Sequence, residues 1–347
     1  MSYPSITNQL FYGDNLQILR QFIPEKIIDL CYIDPPFYSQ RNYYQTTTEN
    51  GITLKVKAFT DTWKWNNQAA EEYNQILENL SNIFSQQTQD IIVGFSKIIG
   101  KNSLFAYIVS LTIRLGEIHR ILKPTGSLYL HCNASASHYL KIILDTIFCP
   151  QGGKFQNEII WCYTLGGKSK RRFAKKHDTI FFYTKNATQY TFNSEAATIP
   201  RKPSSHMKTK TDETGRKYQQ KTDPKTQKTY QYYLDEGKIA EDYWTDIETL
   251  NRKDKQRQGY PTQKPQALLE RIIKVSSNQG DIILDAYCGA GTTLVAAQKL
   301  NRHWIGIDKT PQSLSLTLER LTEIFGPQII NQIEILNHPK KNQTSID

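Results

Sequence analysis

The sequence predicts an α/β fold with a mostly parallel sheet and helices on both of its faces. Segments with helical periodicity alternate with short apolar runs along most of the 347 residues, which is typical of such sheets. Two apolar runs end in an acidic residue followed by a turn, at Asp34 and at Asp285. The second turn is rich in glycine, as expected where a backbone approaches a ligand at the carboxyl end of a strand.

Apolar periodicity predicts the elements of the first half of the chain. The clearest helical pattern lies between Leu104 and Leu122, where apolar residues recur every three or four positions. Asp14 can cap a shorter helix, because its side chain can accept hydrogen bonds from the first backbone N–H groups. The Asn50-Gly51 pair is a hairpin signal inside a long polar and aromatic segment. Further helices are predicted at 15–23, 71–84 and 135–148, and strands at 26–33, 127–132, 158–163 and 178–184.

The first acidic turn is the motif Asp34-Pro35-Pro36-Phe37. Two consecutive prolines cannot continue a strand ladder, so the chain must leave the sheet there. The motif therefore places a carboxylate, a proline carbonyl and an aromatic ring at the carboxyl end of a strand. Taken alone, it is better explained as a strand that ends in a Pro-Pro turn.

Regular periodicity returns after the segment from Tyr260 to Pro265. The pattern predicts a helix at 266–277, a strand at 281–287, a helix at 292–300, a strand at 303–308 and a last helix at 312–325. Gly326-Pro327 ends that helix, because neither residue continues a helical backbone well. The residues beyond Asn337 are polar and predict no element.

Composition excludes several classes of protein. No run of about 18 apolar residues occurs, and the first residues lack a basic-then-apolar signal pattern, so we expect a cytoplasmic protein without membrane partners. The five cysteines are scattered, and neither they nor the histidines have the spacing of a zinc site. We therefore expect a reduced compartment and no metal.

The net charge of +10 is concentrated in one segment. Between Gly166 and Tyr230 there are 16 Lys and Arg against 5 Asp and Glu, and aromatic residues are interleaved with them. Such a segment can neutralise phosphates and stack on bases, which predicts a nucleic-acid surface, whereas the simpler alternative is a solvated charged face. The first basic cluster consists of Lys168, Lys170, Arg171, Arg172, Lys175 and Lys176.

The second acidic turn predicts a nucleoside-binding unit. Asp285 precedes the glycine-rich turn, and Asp308 ends the next strand about twenty residues later, where an acid can accept both ribose hydroxyls. A dinucleotide site would have a third glycine at position 294, where this chain has Leu294. Asp285 would also repel a pyrophosphate, whereas it would attract the cationic S-adenosylmethionine. The pattern therefore favours S-adenosylmethionine over NAD.

With these motifs the chain resembles the amino-group DNA methyltransferases, which act on exocyclic nitrogens of bases. The resemblance includes Asp34 to Phe37, the Thr262-Gln263-Lys264-Pro265 helix entry, the turn from Asp285 to Thr293 and Gly306-Ile307-Asp308. The catalytic motif precedes the cofactor motifs, which is similar to the β-ordered subgroup and to site-specific enzymes of restriction-modification systems. Tyr287 stands where the family usually has Phe.

The resemblance implies a Rossmann-like methyltransferase fold, a cofactor and a substrate. The cofactor would be S-adenosylmethionine and the substrate double-stranded DNA, while a homodimer and a cognate restriction endonuclease are left open as further partners. Asp34, Pro35, Pro36 and Phe37 would be catalytic. The cofactor pocket would be lined by Asp14, Thr262, Lys264, Asp285, Tyr287, Cys288, Gly289, Gly291, Thr292 and Asp308.

The chemistry expected at the first motif follows from its groups. The Asp34 carboxylate and the Pro35 carbonyl can each accept one N–H of an exocyclic amine, and Phe37 can stack on a flipped base. By analogy with the family, Asp-Pro-Pro favours the N6 of adenine, and the N4 of cytosine is the alternative. Further alternatives are an RNA or protein-glutamine methyltransferase and a non-catalytic DNA-binding protein.

The motifs also predict a domain organisation. We expect residues 1–185 and 244–326 to form the catalytic and cofactor-binding halves of one domain, followed by a tail at 327–347. Residues 186–243 lose regular periodicity and would be a small, irregular target-recognition insert, with a basic flank from about residue 166. Because ligands in such sheets bind where neighbouring strands diverge, the strands ending at Asp34 and Asp285 should be adjacent.

Overall fold

The computed structural model describes residues 8–49, 52–167, 169–204, 206–251 and 253–337. Among these residues, no helix is both long and apolar enough to cross a bilayer. The helices are α1 (Asn15–Gln21), α2 (Asn67–Glu78), α3 (Gln86–Ile98), α4 (Ser103–Ile121), α5 (Ser137–Phe148), α6 (Gln266–Ser276), α7 (Thr292–Lys299) and α8 (Pro311–Phe325). The strands are β1 (Asn8–Tyr12), β2 (Ile28–Ile33), β3 (Arg41–Glu49), β4 (Ile52–Asp61), β5 (Leu122–Cys132), β6 (Lys154–Cys162), β7 (His177–Thr184), β8 (Thr198–Ile199), β9 (Thr209–Thr211), β10 (Lys217–Thr222), β11 (Thr229–Tyr233), β12 (Lys238–Ile239), β13 (Tyr243–Trp244), β14 (Ile282–Asp285), β15 (His303–Asp308) and β16 (Ile333–Asn337).

The central sheet of the described chain runs in the order β13-β6-β7-β5-β2-β14-β15-β1-β16. From β5 to β16 every neighbouring pair of strands is parallel. β7 is antiparallel to both of its neighbours, so β6 points the same way as β5 and β2. The carboxyl ends of β2, β6, β14 and β15 therefore lie along one edge of the sheet, which is where ligands bind in such folds.

Helices cover both faces of the sheet, as the sequence predicts. Alternate residues of a strand point to opposite faces, and β2 shows this directly. Cys31 and Ile33 join the core formed with α1 to α5, whereas Leu30 and Tyr32 join the core formed with α6 to α8. A fully buried Leu or Ile contributes about 1.5–3 kcal/mol, so these two apolar layers are the main source of stability.

The segment predicted as an insert contains short strands. β9, β10 and β11 form a separate three-stranded sheet, and β8 pairs with β12. The segment is tied to the main domain at its beginning, where the Asn193 amide donates to backbone carbonyls at the end of α6. At its end, β13 pairs with β6 at the edge of the main sheet.

Some elements differ from the sequence prediction. β1 and α3 were not anticipated, and the helix expected at 71–84 begins and ends earlier, as α2. Residues 333–337 of the predicted tail form β16 and pair with β1, because Ile333 can be buried at that edge of the sheet. The Asn50-Gly51 signal lies outside the described residues, and β3 and β4 on either side of it pair as an antiparallel hairpin.

Candidate active site

The two acidic strand ends face a common cavity. β2 lies beside β14, with Cys31 opposite Leu284, which confirms the predicted adjacency. The cavity has a volume of about 350 Å³. Gly291, which was also predicted for the cofactor pocket, is not among the lining residues and caps the start of α7. The predicted site residues that line the cavity are Asp14, Asp34, Pro35, Pro36, Phe37, Thr262, Lys264, Asp285, Tyr287, Cys288, Gly289, Thr292 and Asp308.

Asp34 forms an ion pair with Lys264, which lies 230 positions later in the chain. The Lys264 ammonium donates to Asp34 Oδ2 at 2.5 Å and to the carbonyl of Thr262 at 3.2 Å. The same ammonium lies 5.0 Å from the centre of the Phe37 ring, within the range of a cation–π contact. Both charged side chains are mostly buried. A hydrogen-bond donor thus already occupies the carboxylate of the Asp-Pro-Pro-Phe motif.

The Phe37 ring is supported by a buried histidine. The ring centres of Phe37 and His131 are 5.3 Å apart. His131 Nδ1 lies 2.9 Å from the Tyr32 hydroxyl, and its Nε2 lies 3.3 Å from Asp178 Oδ2. Burial raises the pKa of Asp178, but the hydrogen bond and the charge of His131 outweigh it and hold that pKa below its usual range. These contacts fix the histidine ring, which makes it a rigid support behind Phe37.

Asp285 lies at the floor of the cavity and is almost completely buried. Its Oδ1 accepts a hydrogen bond from the Tyr287 N–H at 3.0 Å, and its Oδ2 accepts one from the Thr293 hydroxyl at 2.5 Å. Burial, together with a smaller contribution from the nearby carboxylates of Asp34 and Asp308, raises the pKa of Asp285 to about 7 despite these two hydrogen bonds. The charge of Asp285 is therefore sensitive to any cation that enters the cavity.

Asp308 ends β15 and connects the strand to the glycine turn. Its Oδ2 accepts the Gly289 N–H at 3.0 Å, and its Oδ1 accepts both the N–H and the hydroxyl of Thr310. Its carbonyl accepts the Gly13 N–H at 3.0 Å, which connects the end of β1 to the same place. Asp308 is thereby held at the rim of the cavity beside the turn.

The turn between β14 and α7 requires glycine for two reasons. Gly289 and Gly291 both have positive φ, of 49° and 69°. A Cβ at Gly291 would lie 2.7 Å from Thr317 Cγ2, and one at Gly289 would lie 2.9 Å from the Tyr260 ring. Leu294 occupies the position where a dinucleotide site would have glycine, and its side chain packs on Gly306. A Cβ added at Gly306 would lie 2.5 Å from Leu294 Cδ1. The close approach of helix and strand is achieved by a glycine on the strand.

Asp14 caps α1, as predicted, and it also takes part in a buried network of hydrogen bonds. Its Oδ1 accepts the N–H groups of Leu16 and Gln17, while its Oδ2 lies 3.2 Å from the Arg114 guanidinium. Arg114 is buried within α4 and also donates to Asn15 and Glu72. Asn15 in turn donates to the carbonyl of Ala286 at 2.9 Å. The network connects α1, α2 and α4 to the glycine turn.

Asp61 organises the loop that follows the Asp-Pro-Pro-Phe motif. It is almost completely buried. Its carboxylate accepts the N–H groups of Tyr38 and Ser39, at 3.0 and 2.6 Å, and the indole N–H of Trp63 at 2.9 Å. The end of β4 thus fixes the backbone immediately after Phe37.

A row of aromatic rings connects the β3–β4 hairpin to the glycine turn. Tyr43 stacks on Phe59 with ring centres 4.6 Å apart, and Phe59 stacks on Tyr260 at 6.2 Å. Tyr260 in turn covers Gly289. All three rings line the cavity, so the hairpin forms one of its walls.

The predicted DNA-binding cluster lies away from the cavity wall, in the loop between β6 and β7. Lys170, Arg171, Arg172 and Lys175 are exposed, and Lys168 lies outside the described residues. The ammonium of Lys176 donates to the carbonyls of Thr164 and Gly166. The other four described cations therefore form an exposed group at the same sheet edge as the cavity.

Several residues of the site were not singled out from the sequence. A signal existed for Arg114, because a charged residue inside the apolar pattern of α4 must find buried partners. Asp61 was not recognised because its hydrogen bonds are made to a loop 22 residues earlier. His131 and Tyr260 gave no signal, because their partners are distant in sequence.

Comparison with known proteins gives a consistent result. A family model described as DNA methylase, for the N6/N4 class, matches residues 28–319. The type II methyltransferase M.HpaI of Haemophilus parainfluenzae is 31% identical over 216 residues, which are 61% of this chain and 58% of M.HpaI. The DNA adenine methyltransferase YhdJ of Escherichia coli is 27% identical over 313 residues, 90% of this chain and 82% of YhdJ. The match to M.HpaI therefore spans little more than half of that relative's length.

A solved structure supports the fold. The chain matches the PvuII DNA methyltransferase, described as cytosine-N4-specific, with a TM-score of 0.54 and 15% identity over 96% of each chain. At this identity the likeness bears on the fold alone. It agrees with the predicted Rossmann-like sheet with helices on both faces.

Proposed function

Because the chain belongs to the DNA methylase family, we propose that it transfers a methyl group from S-adenosylmethionine to an exocyclic amino group in duplex DNA. One observation carries the proposal. Asp34 and Asp285, from adjacent strand ends, line one cavity, and a nitrogen donor, the Lys264 ammonium, is already bonded to Asp34. The cavity thus has an acceptor for an amine beside a floor that attracts a cation.

The cavity residues fit S-adenosylmethionine. The carboxylate of Asp308 has about four acceptor positions and accepts three hydrogen bonds within the chain, which leaves capacity for a ribose hydroxyl. Asp285, with its pKa raised to about 7, gains a favourable partner when a sulfonium or ammonium enters. We expect Asp14, Thr262, Tyr287, Cys288, Gly289 and Thr292 to complete the pocket, with Gly291 shaping the turn behind it.

The Asp-Pro-Pro-Phe motif would act on the amine. The lone pair of the exocyclic amine is delocalised into the base, which makes the nitrogen a poor nucleophile. Asp34 and the Pro35 carbonyl would each accept one N–H of this amine and make its nitrogen tetrahedral. Pro36 fixes the turn, and Phe37, supported by His131, would stack on the base. When bound, S-adenosylmethionine would supply an electrophilic methyl group with its sulfur as the leaving group. Asp34 would accept the proton that the nitrogen loses.

We propose adenine N6 as the target rather than cytosine N4. The Asp-Pro-Pro form of the motif supports adenine by analogy, and YhdJ carries that specificity in its name. The PvuII enzyme is described as cytosine-N4-specific, so cytosine N4 is the second candidate. Sequencing modified bases in DNA from cells that express the chain distinguishes N6-methyladenine from N4-methylcytosine and gives the recognition sequence.

The basic cluster supports duplex DNA as the substrate. Lys170, Arg171, Arg172 and Lys175 are exposed at the edge of the sheet where the cavity lies, as contacts to phosphates require. We propose that the segment 186–243 contributes base contacts. An RNA or a protein-glutamine substrate would be supported instead if labelled methyl groups appeared only in RNA or protein.

Replacement of Asp34 tests the mechanism. Asp34→Ala should reduce methyl transfer to duplex DNA by a factor of at least 10³, because one acceptor of the amine is lost. Binding of S-adenosylmethionine, measured by calorimetry, should change by less than threefold. Asp90→Ala, an acid on α3 outside the cavity, should leave transfer unchanged. Transfer by Asp34→Ala at a rate near that of the unaltered chain would contradict the role.

A further inference from the structure

The loop between β6 and β7 carries an aromatic side chain that is almost completely exposed. We refer to residues 163–167 and 169–176 as the basic loop. Phe173 in this loop is 99% exposed. It lies between Arg171 and Arg172 on one side and Lys175 on the other, all of them exposed. Single exposed apolar residues are common, so the meaning of Phe173 depends on where the loop is anchored and what its charges attract.

The basic loop is anchored behind the Phe37 ring. β6 runs parallel to β2, so the loop leaves the sheet at the edge where Asp34 lies. Asp178, just after the loop, contacts His131, and His131 supports Phe37. Tyr163, at the start of the loop, lies 3.4 Å from Asp178 through its hydroxyl. Both ends of the loop therefore belong to the wall that holds the proposed base pocket.

The loop is closed at its base. The Tyr163 N–H donates to the carbonyl of Lys176, and the Lys176 ammonium donates back to the carbonyls of Thr164 and Gly166. The hydroxyl of Ser169 accepts the N–H groups of Arg171 and Arg172, which turns the chain just before Phe173. The loop is therefore closed at its base and turned just before Phe173, whose side chain is exposed.

Length and charge indicate what Phe173 could enter. Phe173 lies five positions before Asp178, which limits the distance between their Cα atoms to roughly 18 Å, so the ring stays near the proposed base pocket. The surrounding cations would be drawn to phosphates. Apolar side chains placed among phosphate contacts insert between base steps in many DNA-binding proteins. Burial of a Phe ring stabilises a complex, which helps to offset the cost of unstacking a base.

We propose that Phe173 inserts into the DNA duplex next to the target base and stabilises the flipped state. The inference rests on the proposed function and extends it to a residue outside the cavity. Arg171, Arg172, Lys170 and Lys175 hold the adjacent phosphates, and the ring occupies stacking space that the flipped base leaves. Phe37, by contrast, stacks on the flipped base inside the cavity.

The test compares paired and unpaired target bases. The substrate is a duplex with the sequence found methylated in expressing cells, made either fully paired or with an abasic site opposite the target base. Unpairing lowers the cost of flipping without changing the target. Phe173→Ala should slow single-turnover methyl transfer at least tenfold on the paired duplex and less than twofold on the unpaired one. Phe173→Trp should restore most of the rate on the paired duplex.

Two variants in the same loop serve as controls. Leu165→Ala removes the other exposed apolar side chain of the loop and should leave both rates within twofold. Arg172→Ala should weaken binding to both duplexes by the same factor and reduce the salt dependence of binding, because a phosphate contact does not depend on pairing. Unchanged binding of S-adenosylmethionine confirms that Phe173→Ala is folded.

The outcomes separate the inference from the proposed function. If the unaltered chain methylates DNA and Phe173→Ala matches it on the paired duplex, the insertion is wrong and the function stands. An equal loss on both duplexes also overturns the insertion, because it indicates a general binding contact. If the unaltered chain methylates no DNA, both are overturned.

Discussion

Asp34 and Lys264 hold opposite charges together where an uncharged amine is expected to bind. The Lys264 ammonium bonds to Asp34 Oδ2, and each side chain is mostly buried. A target amine that donates to Asp34 must therefore displace a donor that is already there. The pair also explains why an acidic side chain is stable in a cavity that is lined by several other carboxylates, among them Asp285 and Asp308.

The pair should be energetically coupled. Lys264→Met should lower the free energy of unfolding by about 1–3 kcal/mol, because it leaves a buried carboxylate without its cation. Asp34→Asn should restore most of this loss when it is added to Lys264→Met, since no unpaired charge then remains. Urea unfolding of the two single variants and the double variant measures the coupling. Strictly additive effects would show that the contact contributes nothing to stability.

Asp285 should make stability depend on pH. Its pKa is about 7 in the folded chain and about 3.9 in an unfolded one, so the folded state binds the extra proton between these values. The free energy of unfolding should therefore fall as the pH rises from about 4 to about 7. Asp285→Asn should remove this part of the slope and be more stable than the unaltered chain at pH 8.

The same replacement should weaken the cofactor site. A cationic ligand favours the ionised form of Asp285, so affinity for S-adenosylmethionine should fall as the pH is lowered below about 7. Asp285→Asn should bind it more weakly at pH 8 and with little dependence on pH. Calorimetry at pH 6, 7 and 8 measures both effects. A pH-dependent affinity that persists in Asp285→Asn would assign the titration to another group.

Sequence motifs were sufficient to predict most of the site residues, but they did not predict the contacts between those residues. The positions of Asp34 and Asp285 at neighbouring strand ends follow from how parallel sheets are built, and the structure confirms them. The ion pair to Lys264 joins residues 230 positions apart, which no local pattern encodes. Sequence placed Lys264 in the cofactor pocket, and only the fold shows its ammonium at Asp34.

At the scale of elements, the carboxyl end of α4 is capped by a side chain that is distant in sequence. Lys185, just after β7, donates from its ammonium to the carbonyls of His119, Arg120 and Leu122. These groups belong to the end of α4 and the residue after it, where backbone carbonyls lack partners within the helix. A cation at this end also interacts favourably with the helix dipole.

Removal of this cation should destabilise the fold without altering the site. Lys185→Met should lower the free energy of unfolding by about 1–3 kcal/mol, because several charged hydrogen bonds are lost. Lys97→Met, an exposed lysine in the last turn of α3, should change it by less than about 0.5 kcal/mol. Thermal or urea unfolding measures the difference. Equal effects of the two replacements would contradict the proposed end contact.

Elements with strong periodicity were predicted well, and those that depend on neighbours were not. α4, α7 and β15 lie within two residues of their predicted limits. β1 is only five residues long, and its burial depends on strands from the other end of the chain. α3 combines a polar first half with an apolar second half, so its pattern is weak without α4 and α5 beside it.

At the scale of the whole molecule, the cavity depends on segments from distant parts of the chain. Asp14 and Asp34 follow the first two strands, β1 and β2, and the β3–β4 hairpin adds a wall. Lys264, Asp285 and Asp308 come from the last third. A local change at any of these segments therefore reaches the others through the sheet, which explains why length and composition alone could not describe the site.

The pairing of β1 with β16 has a consequence for how the chain could be connected. The two strands lie side by side, with Asn8 opposite Ile333 and Tyr12 opposite Asn337. One strand length, roughly 17 Å for five residues, separates Asn337 from Asn8 along the sheet, and a short linker can bridge it. A circularly permuted chain, joined there and opened at an exposed turn such as the one at Gly215, would keep every strand neighbour. The architecture thus fixes where the two acidic turns meet in space and leaves free which of them is synthesised first.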